Sequence, residues 1–182
     1  MSDRDVFQPP ERIETERLIL RKAQASDAAI LHDAYMTDPD VPKFMSWKPH
    51  TELSKSEWWI DHCIKQWEAG KNYEFVIEYK GKPMGMAGMH LMPPRVSFGY
   101  VIASAYWGRG IVPEALTMLI NWALAQDKIY RAQIFCHVDN RNSQRVIEKC
   151  GLEYEGTLRR YFIHPNISSE PTDCKMYSKI RL

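Results

Sequence analysis

The chain predicts a mixed α/β fold, one mixed sheet with helices on its faces. Three observations carry this. Residues 73–79 (YEFVIEY) alternate and are rich in β-formers; after the turn Lys80-Gly81-Lys82-Pro83, residues 84–91 return as the second arm of a hairpin. The run from Tyr100 to Ala115 reads as an apolar strand, a turn holding Gly108 and Gly110, and a helix opening with Pro113. A further strand over 129–138 follows that helix. Helical crossovers join parallel neighbours, so the strand before residue 107 and the strand before residue 140 are expected to be adjacent and parallel.

The remaining elements follow in order. Residues 1–13 read as an N-terminal arm, and residues 14–182 as a single domain. Residues 16–21 (ERLILR) form a first strand. Ser26-Asp27 offers an N-cap for a helix whose apolar face is Ala28, Ile30, Leu31, Ala34 and Tyr35. That helix ends at Asp38-Pro39, because proline disfavours helical dihedrals at the residue before it. The 39–53 loop holds Pro39, Pro42 and Pro49 with Phe44, Met45 and Trp47, too apolar for a plain solvated linker. Ser54 and Glu57 read as a capping box for a helix to about Ala69, with Gly70 as its stop. Core packing is expected for at least two of its three tryptophans, Trp58, Trp59 and Trp67. Pro93-Pro94 ends the hairpin, and 96–102 is the next strand. The helix from Pro113 to about Gln126 carries Leu116, Leu119, Ile120, Ala123 and Leu124 at core spacing. A helix over 140–150 and strands over 152–162 and 174–181 complete the sheet.

Composition narrows the function. The chain has 182 residues, 45% hydrophobic, enough for one sizeable core. A net charge of +1 gives no bulk attraction for nucleic acid. Arg141, Arg145, Arg159 and Arg160 are close in sequence and are read as a solvated face. Cys63, Cys136, Cys150 and Cys174 match no zinc spacing, so no metal is expected. Residues 1–10 are polar and no segment approaches the ~20 apolar residues of a membrane span. A cytoplasmic protein with reduced thiols and no membrane partner is expected.

The glycine turn suggests chemistry directly. Bare N–H groups at a helix N-terminus, with no side chains in the way, bind phosphate. Asn140 and Ser143 open a second helix with its own polar N-terminus. A nucleotide-binding reading is weak, because Gly108-Arg109-Gly110 lacks the third glycine of a dinucleotide fingerprint.

A longer ordered series identifies a family. It comprises Glu16-Arg17-Leu18-Ile19-Leu20-Arg21, Gly99-Tyr100-Val101-Ile102, and Tyr106-Trp107-Gly108-Arg109-Gly110 with Glu114-Ala115. It continues with Asn140, Ser143, Glu148-Lys149-Cys150-Gly151-Leu152 and Glu155-Gly156. On these residues the chain resembles the GNAT acyltransferase superfamily, and within it the ribosomal-protein alanine and serine N-terminal acetyltransferases. The resemblance implies a GNAT-like fold: a mostly antiparallel sheet with one splayed parallel pair and helices on both faces.

It also implies acetyl transfer from acetyl-CoA, as co-substrate, to a primary amine by direct attack. In the family's Gln/Arg-x-x-Gly-x-Gly/Ala loop, Trp107, Gly110 and Val112 take the marked positions. Gly108, Arg109, Gly110, Ile111 and Val112 would then hold the pyrophosphate, while Tyr100, Val101 and Ile102 pair with the pantetheine arm and Asn140 bonds to it. The family's usual tyrosine acid falls on Ile147, so the resemblance points to Ser143 as general acid or thiolate stabiliser. The base is open among Glu74, His90, His137 and Glu155, since Arg159-Arg160-Tyr161-Phe162 stands where some relatives carry a glutamate. Cys136 offers an acetyl-cysteine route, and direct transfer is preferred to it. The acceptor side is expected from the 39–53 loop, the tryptophan helix and the 160–173 loop. The acceptor is a protein N-terminus, or alternatively a small amine such as a polyamine, amino acid or antibiotic. A non-catalytic acyl-CoA-binding module is the third reading. Either a monomer or a homodimer is compatible with the sequence.

Overall fold

The computed structural model describes residues 7–181. Its centre is one eight-stranded sheet in the order β1-β2-β3-β4-β5-β6-β8-β7. The strands are β1 (Arg12–Glu14), β2 (Leu18–Lys22), β3 (Asn72–Tyr79), β4 (Lys82–Met92), β5 (Arg95–Ile102), β6 (Arg131–His137), β7 (Glu153–Ile163) and β8 (Pro171–Ile180). Every neighbouring pair is antiparallel except β5 with β6, which is parallel as the crossover argument requires. That parallel contact is short: only Arg95–Ser97 pair with Arg131–Gln133. Beyond it the two strands part.

Four helices cover the sheet. On one face, α1 (Asp27–Leu31, continued as a π-helical stretch to Met36) and α2 (Leu53–Glu68) pack on Val76, Met86 and Val101. On the other, α3 (Ile111–Leu124) and α4 (Arg141–Lys149) pack on the larger cluster that includes Phe75, Ile77, Met89, Phe98 and Ile134. The alternation of strand side chains therefore assigns odd and even residues of β5 to opposite faces.

Local details differ from the sequence reading. The arm expected over 1–13 is strand at its end: Arg12 opposes Arg21 and Ile13 opposes Leu20. Phe7 is buried, edge-on to Trp122, and its carbonyl accepts from the Tyr73 hydroxyl at 2.6 Å. Residues 1–6 of the arm lie outside the described residues. The capping box does not form, because α2 begins at Leu53 with Glu52 as N-cap and no side-chain cap bond, placing Ser54 inside the helix. Nor does Ser26 cap α1. The α3 helix starts at Ile111, two residues before Pro113, because Gly110 takes the left-handed conformation (φ 73°) and turns the chain earlier. Strand β8 opens at Pro171 rather than at residue 174. Of the tryptophans, Trp67 is buried, Trp59 packs on the α1–α2 cluster, and Trp58 stands out, 65% exposed.

The start of α1 is fixed instead by a buried ion network. Asp27 accepts from Gln24 N at 2.7 Å and from both terminal nitrogens of Arg21 at 2.8 and 2.6 Å. Arg21 Nε donates to Glu78 at 2.8 Å, so one guanidinium joins β2, β3 and the start of α1. Breaking a buried pair strands a charge. Asp27→Ala is expected to cost about 3 kcal/mol, read as a lower urea midpoint at unchanged m-value.

Candidate active site

The site begins where β5 and β6 separate. Ala103 N donates to Met84 O at 2.9 Å, so the backbone of odd-numbered β5 residues points to β4. The even-numbered residues Phe98, Tyr100 and Ile102 then turn their N–H and C=O groups toward β6, and past Ser97 no β6 residue meets them. The carbonyl of Ile102 is taken by Trp107 Nε1 at 3.1 Å. What remains is a strip of strand edge facing a cleft, with the pairing capacity of a sheet and no strand in place to use it.

The glycine turn lies at the end of this edge. Gly108 and Gly110 both have positive φ, 75° and 73°. Among the described residues, the N–H groups of Gly108, Arg109 and Gly110 donate to no backbone carbonyl. Ile111 and Val112 sit in the first turn of α3, where N–H groups have no intrahelical acceptor, and Pro113 has none to satisfy. The side chains of Ile111 and Val112 are buried in the core, so the bulk of Val112 points away from the mouth of the turn. Arg109 lays its guanidinium over the Tyr106 ring at 5.3 Å.

The turn is held from across the sheet. Glu114 accepts from Thr15 Oγ1 at 2.6 Å, Arg17 N at 3.0 Å and Arg17 Nε at 2.7 Å. Arg17 Nη1 donates to Arg109 O at 3.2 Å. Its Nη2 lies 3.6 Å from the position a Cβ on Gly110 would take. Sequence reasoning missed Arg17 as a cation at the glycine turn, since it lies far from the turn in the chain and only the β1–β2 turn brings it there.

On the far side of the cleft, Asn140 caps α4, its Oδ1 accepting from Ser143 N at 3.1 Å. This leaves its Nδ2 uncommitted to the cap. The Ser143 hydroxyl lies 2.6 Å from the Tyr100 hydroxyl. Tyr100 and Ser143 therefore meet on the α3–α4 face, while Val101 packs with the α1–α2 cluster and offers only backbone to the edge. Burial pushes the Tyr100 phenol well above its ordinary range. It also pushes the Cys136 thiol up to about 11, against a neighbouring Ser143 that pulls it down. Both groups stay protonated near neutrality, which leaves Cys136 a poor nucleophile. Ile147 is fully buried core.

The four base candidates separate. Glu155 is bound by Arg131, 2.6 Å to Nη1, and by Ser178 Oγ at 2.6 Å. These partners hold its carboxyl at about 2. His137 is buried, uses Nδ1 to accept from Asp139 N at 3.1 Å, and packs edge-on to His164. Glu74 and His90 lie together, His90 Nε2 3.4 Å from Glu74 Oε1. The acceptor-side loops also meet: Asn166 Nδ2 donates to Pro42 O at 2.6 Å and Trp47 O at 2.7 Å, and Phe44 packs against His137. The four arginines are exposed, with Arg160 paired to Glu170.

The GNAT acetyltransferase domain model matches residues 17–153. This chain belongs to the GNAT acetyltransferase family. An uncharacterized N-acetyltransferase, p20, of Bacillus licheniformis is 27% identical over 157 residues, 83% of this chain and 87% of that protein. The ribosomal-protein-serine acetyltransferase of Escherichia coli strain K12 is 28% identical over 89 residues, 47% of this chain and 50% of its own length. Among solved structures, the microcin C7 self immunity acetyltransferase MccE, in complex with acetyl-CoA and AMP, superposes with TM-score 0.85 at 25% identity, covering 95% of this chain and 98% of that one. RimL, a ribosomal L7/L12 α-N-protein acetyltransferase solved with coenzyme A, gives 0.83 at 22% identity, covering 93% and 98%. No helix among the described residues is long and apolar enough to cross a membrane.

The Glu155 pair makes a pH-dependent contribution. The folded carboxyl is held at about 2, below its ordinary 4.5. The unfolded chain therefore takes up the proton first as pH falls, and the contribution is complete above about 4.5 and lost on the way down through about 2. Arg131→Gln is expected to flatten the acid limb of the stability curve in that window, read from urea midpoints at several pH values.

Proposed function

We propose that this chain is a cytoplasmic acetyl-CoA-dependent N-acetyltransferase whose acceptor is a primary amine, a protein N-terminal α-amine in the first instance. One observation carries the reading: a row of unpartnered N–H groups from Gly108 to Val112 continues into the unpaired edge of β5. An elongated ligand with a diphosphate at one end and amides along its arm fits that combination. The diphosphate sits on the turn and the helix N-terminus, and the amides add to the strand edge as a further strand does. Arg17 adds a cation at the phosphate end.

Acetyl-CoA supplies an activated acyl group and a thiolate leaving group. The residues of this chain do the rest. The edge of β5 fixes the acyl group beside Tyr100 and offers backbone N–H to its carbonyl oxygen, where charge develops. Ser143 is the third residue of α4, so its hydroxyl and the positive end of the helix face the leaving sulfur together. Tyr100 sets the direction of that hydroxyl: when the phenol donates to Ser143 Oγ, the serine proton is free to point to sulfur. Cys136 remains a thiol beside them, which favours attack by the amine itself.

The acceptor reading draws on the ribosomal-protein acetyltransferases among the relatives. A second acceptor class has an observation of its own. Trp47, Lys48, Pro49, His50, Ser54, Lys55 and Trp58 line an open cavity of about 420 Å³. Aromatic faces with two lysines suit a small amine that carries both a ring and an anionic group. MccE, similar over nearly its whole length, was solved with AMP.

Two variants and a screen test the proposal. Gly110→Asp puts a carboxylate against the phosphates and should abolish acetyl-CoA binding by calorimetry; retained affinity places the diphosphate elsewhere. Ser143→Ala should lower kcat by about tenfold or more with coenzyme affinity within about twofold. A screen of seryl and alanyl peptides against small amines, read by release of free thiol, separates the acceptor classes. Tight acetyl-CoA binding without turnover on any amine would instead mark a binding module.

A further inference from the structure

Glu74 has an unusual setting. It lies on β3 in register with Gly88 on β4, which lies in register with Gly99 on β5. The three share the α1–α2 face, since Val76, Met86 and Val101 do. A Cβ on Gly88 would fall on the Glu74 carboxylate itself. The side chain thus leans across β4 toward β5 and the splay, in a groove that exists because two consecutive strands carry glycine there. A Cβ on Gly99 would meet His90 Nε2 at 3.9 Å and nothing nearer, so the groove stays open beyond the carboxylate.

The carboxylate side chain is 13% exposed. The titratable groups facing it are Tyr35 from the π-helical end of α1, Cys63 from α2 and His90 from β4. Burial pushes the phenol and the thiol up and the imidazole down, so all three are neutral near pH 7. No cation pairs with Glu74 among the described residues apart from a protonated His90. Desolvation without a counter-ion lifts its carboxyl to about 7. His90, 43% exposed, connects the groove to solvent.

We infer that Glu74, seated over Gly88 and Gly99, is the base that takes the acceptor amine's proton through one water in the glycine groove. The inference rests on the proposed acetyl transfer and supplies its open role. The ammonium form of the acceptor gives one proton to the water, which passes one to Glu74. The freed nitrogen lone pair forms the N–C bond as the C–S bond breaks. The second nitrogen proton ends on the leaving sulfur, and Glu74 returns its proton to solvent past His90. Glu74 and Ser143 flank the splay from opposite faces of the sheet, so proton removal and sulfur departure do not compete for one position.

Glu74→Gln keeps the shape and removes the base. With acetyl-CoA and a seryl peptide, wild-type kcat should rise with pH through a midpoint near 7. In the variant kcat should fall about 100-fold or more, the midpoint near 7 should vanish, and coenzyme affinity should hold within about twofold. Gly99→Ala fills the water's place without touching the carboxylate and should lower kcat about tenfold at unchanged coenzyme affinity. An equilibrium arm needs no acceptor. The folded carboxyl titrates above its ordinary 4.5, so the folded state holds the proton longer, and wild-type stability should fall relative to Glu74→Gln as pH rises from about 4.5 to about 7. A shared pH midpoint and equal kcat in wild type and Glu74→Gln, or a flat stability difference, overturns the inference and leaves the transfer reading intact. If wild type releases no thiol from acetyl-CoA, with peptide or any amine of the screen, the transfer reading fails and the base assignment falls with it.

Discussion

The separation of β5 from β6 is the constraint on which the rest of the molecule depends. Buried backbone groups need partners, and a sheet normally supplies them along its whole length. Here the pairing stops after Ser97 and Gln133. The edge beyond needs some other partner, a role that water or a ligand can fill. Trp107 satisfies Ile102 O, the position nearest the turn, and leaves Phe98 and Tyr100 as the free stretch. The helix between the two strands follows from the same geometry, since a parallel pair requires a crossover and the crossover brings its N-terminus to the end of β5. A strand edge and the glycine turn are thus adjacent by topology.

Two ties keep that arrangement rigid. Glu114 anchors the first turn of α3 to Thr15 and Arg17. Burial pushes its carboxyl up, but the bonds from Thr15 and Arg17 outweigh this and hold it below its ordinary value. Arg21, Asp27 and Glu78 anchor α1 to β2 and β3 on the opposite face. Both ties start from the β1–β2 region. The N-terminal segment is therefore a structural brace for the cleft, with Phe7 and Trp122 extending it to the back of α3.

Much of this was legible in the sequence, for identifiable reasons. The hairpin, the parallel pair and the helices α3 and α4 announce themselves because period, glycine and capping residues agree locally. Asn140 caps as its residue type predicts. The misses share another cause: they depend on partners far away in the chain. Residues 12 and 13 look like arm and become strand because Leu20 and Arg21 offer an edge. Ser54 and Glu57 fit a capping box, but the chain enters α2 at Leu53, and Ser56, a little further on, lies between His32 and His50, 2.8 Å from each Nδ1. Arg17 reads as a strand-start charge until Glu114 turns it to the loop. Glu74 is one of four base candidates in the sequence, and only its register with Gly88 and Gly99 singles it out by giving it a buried carboxylate.

The distribution of charge around the splay gives these pieces a common logic. On the α3–α4 face burial keeps the Tyr100 phenol and the Cys136 thiol protonated beside Ser143, while Lys175 pulls the thiol down and Glu148 pushes it up. On the α1–α2 face the glycine groove holds the Glu74 carboxylate, faced by Tyr35, Cys63 and His90, a setting suited to taking a proton from a cation. In the proposed transfer an acceptor arriving as an ammonium would meet Glu74 on one face, and a departing thiolate would meet Ser143 on the other. With the acyl group on the sheet edge between them, as proposed, no single side chain has to serve both ends of the reaction.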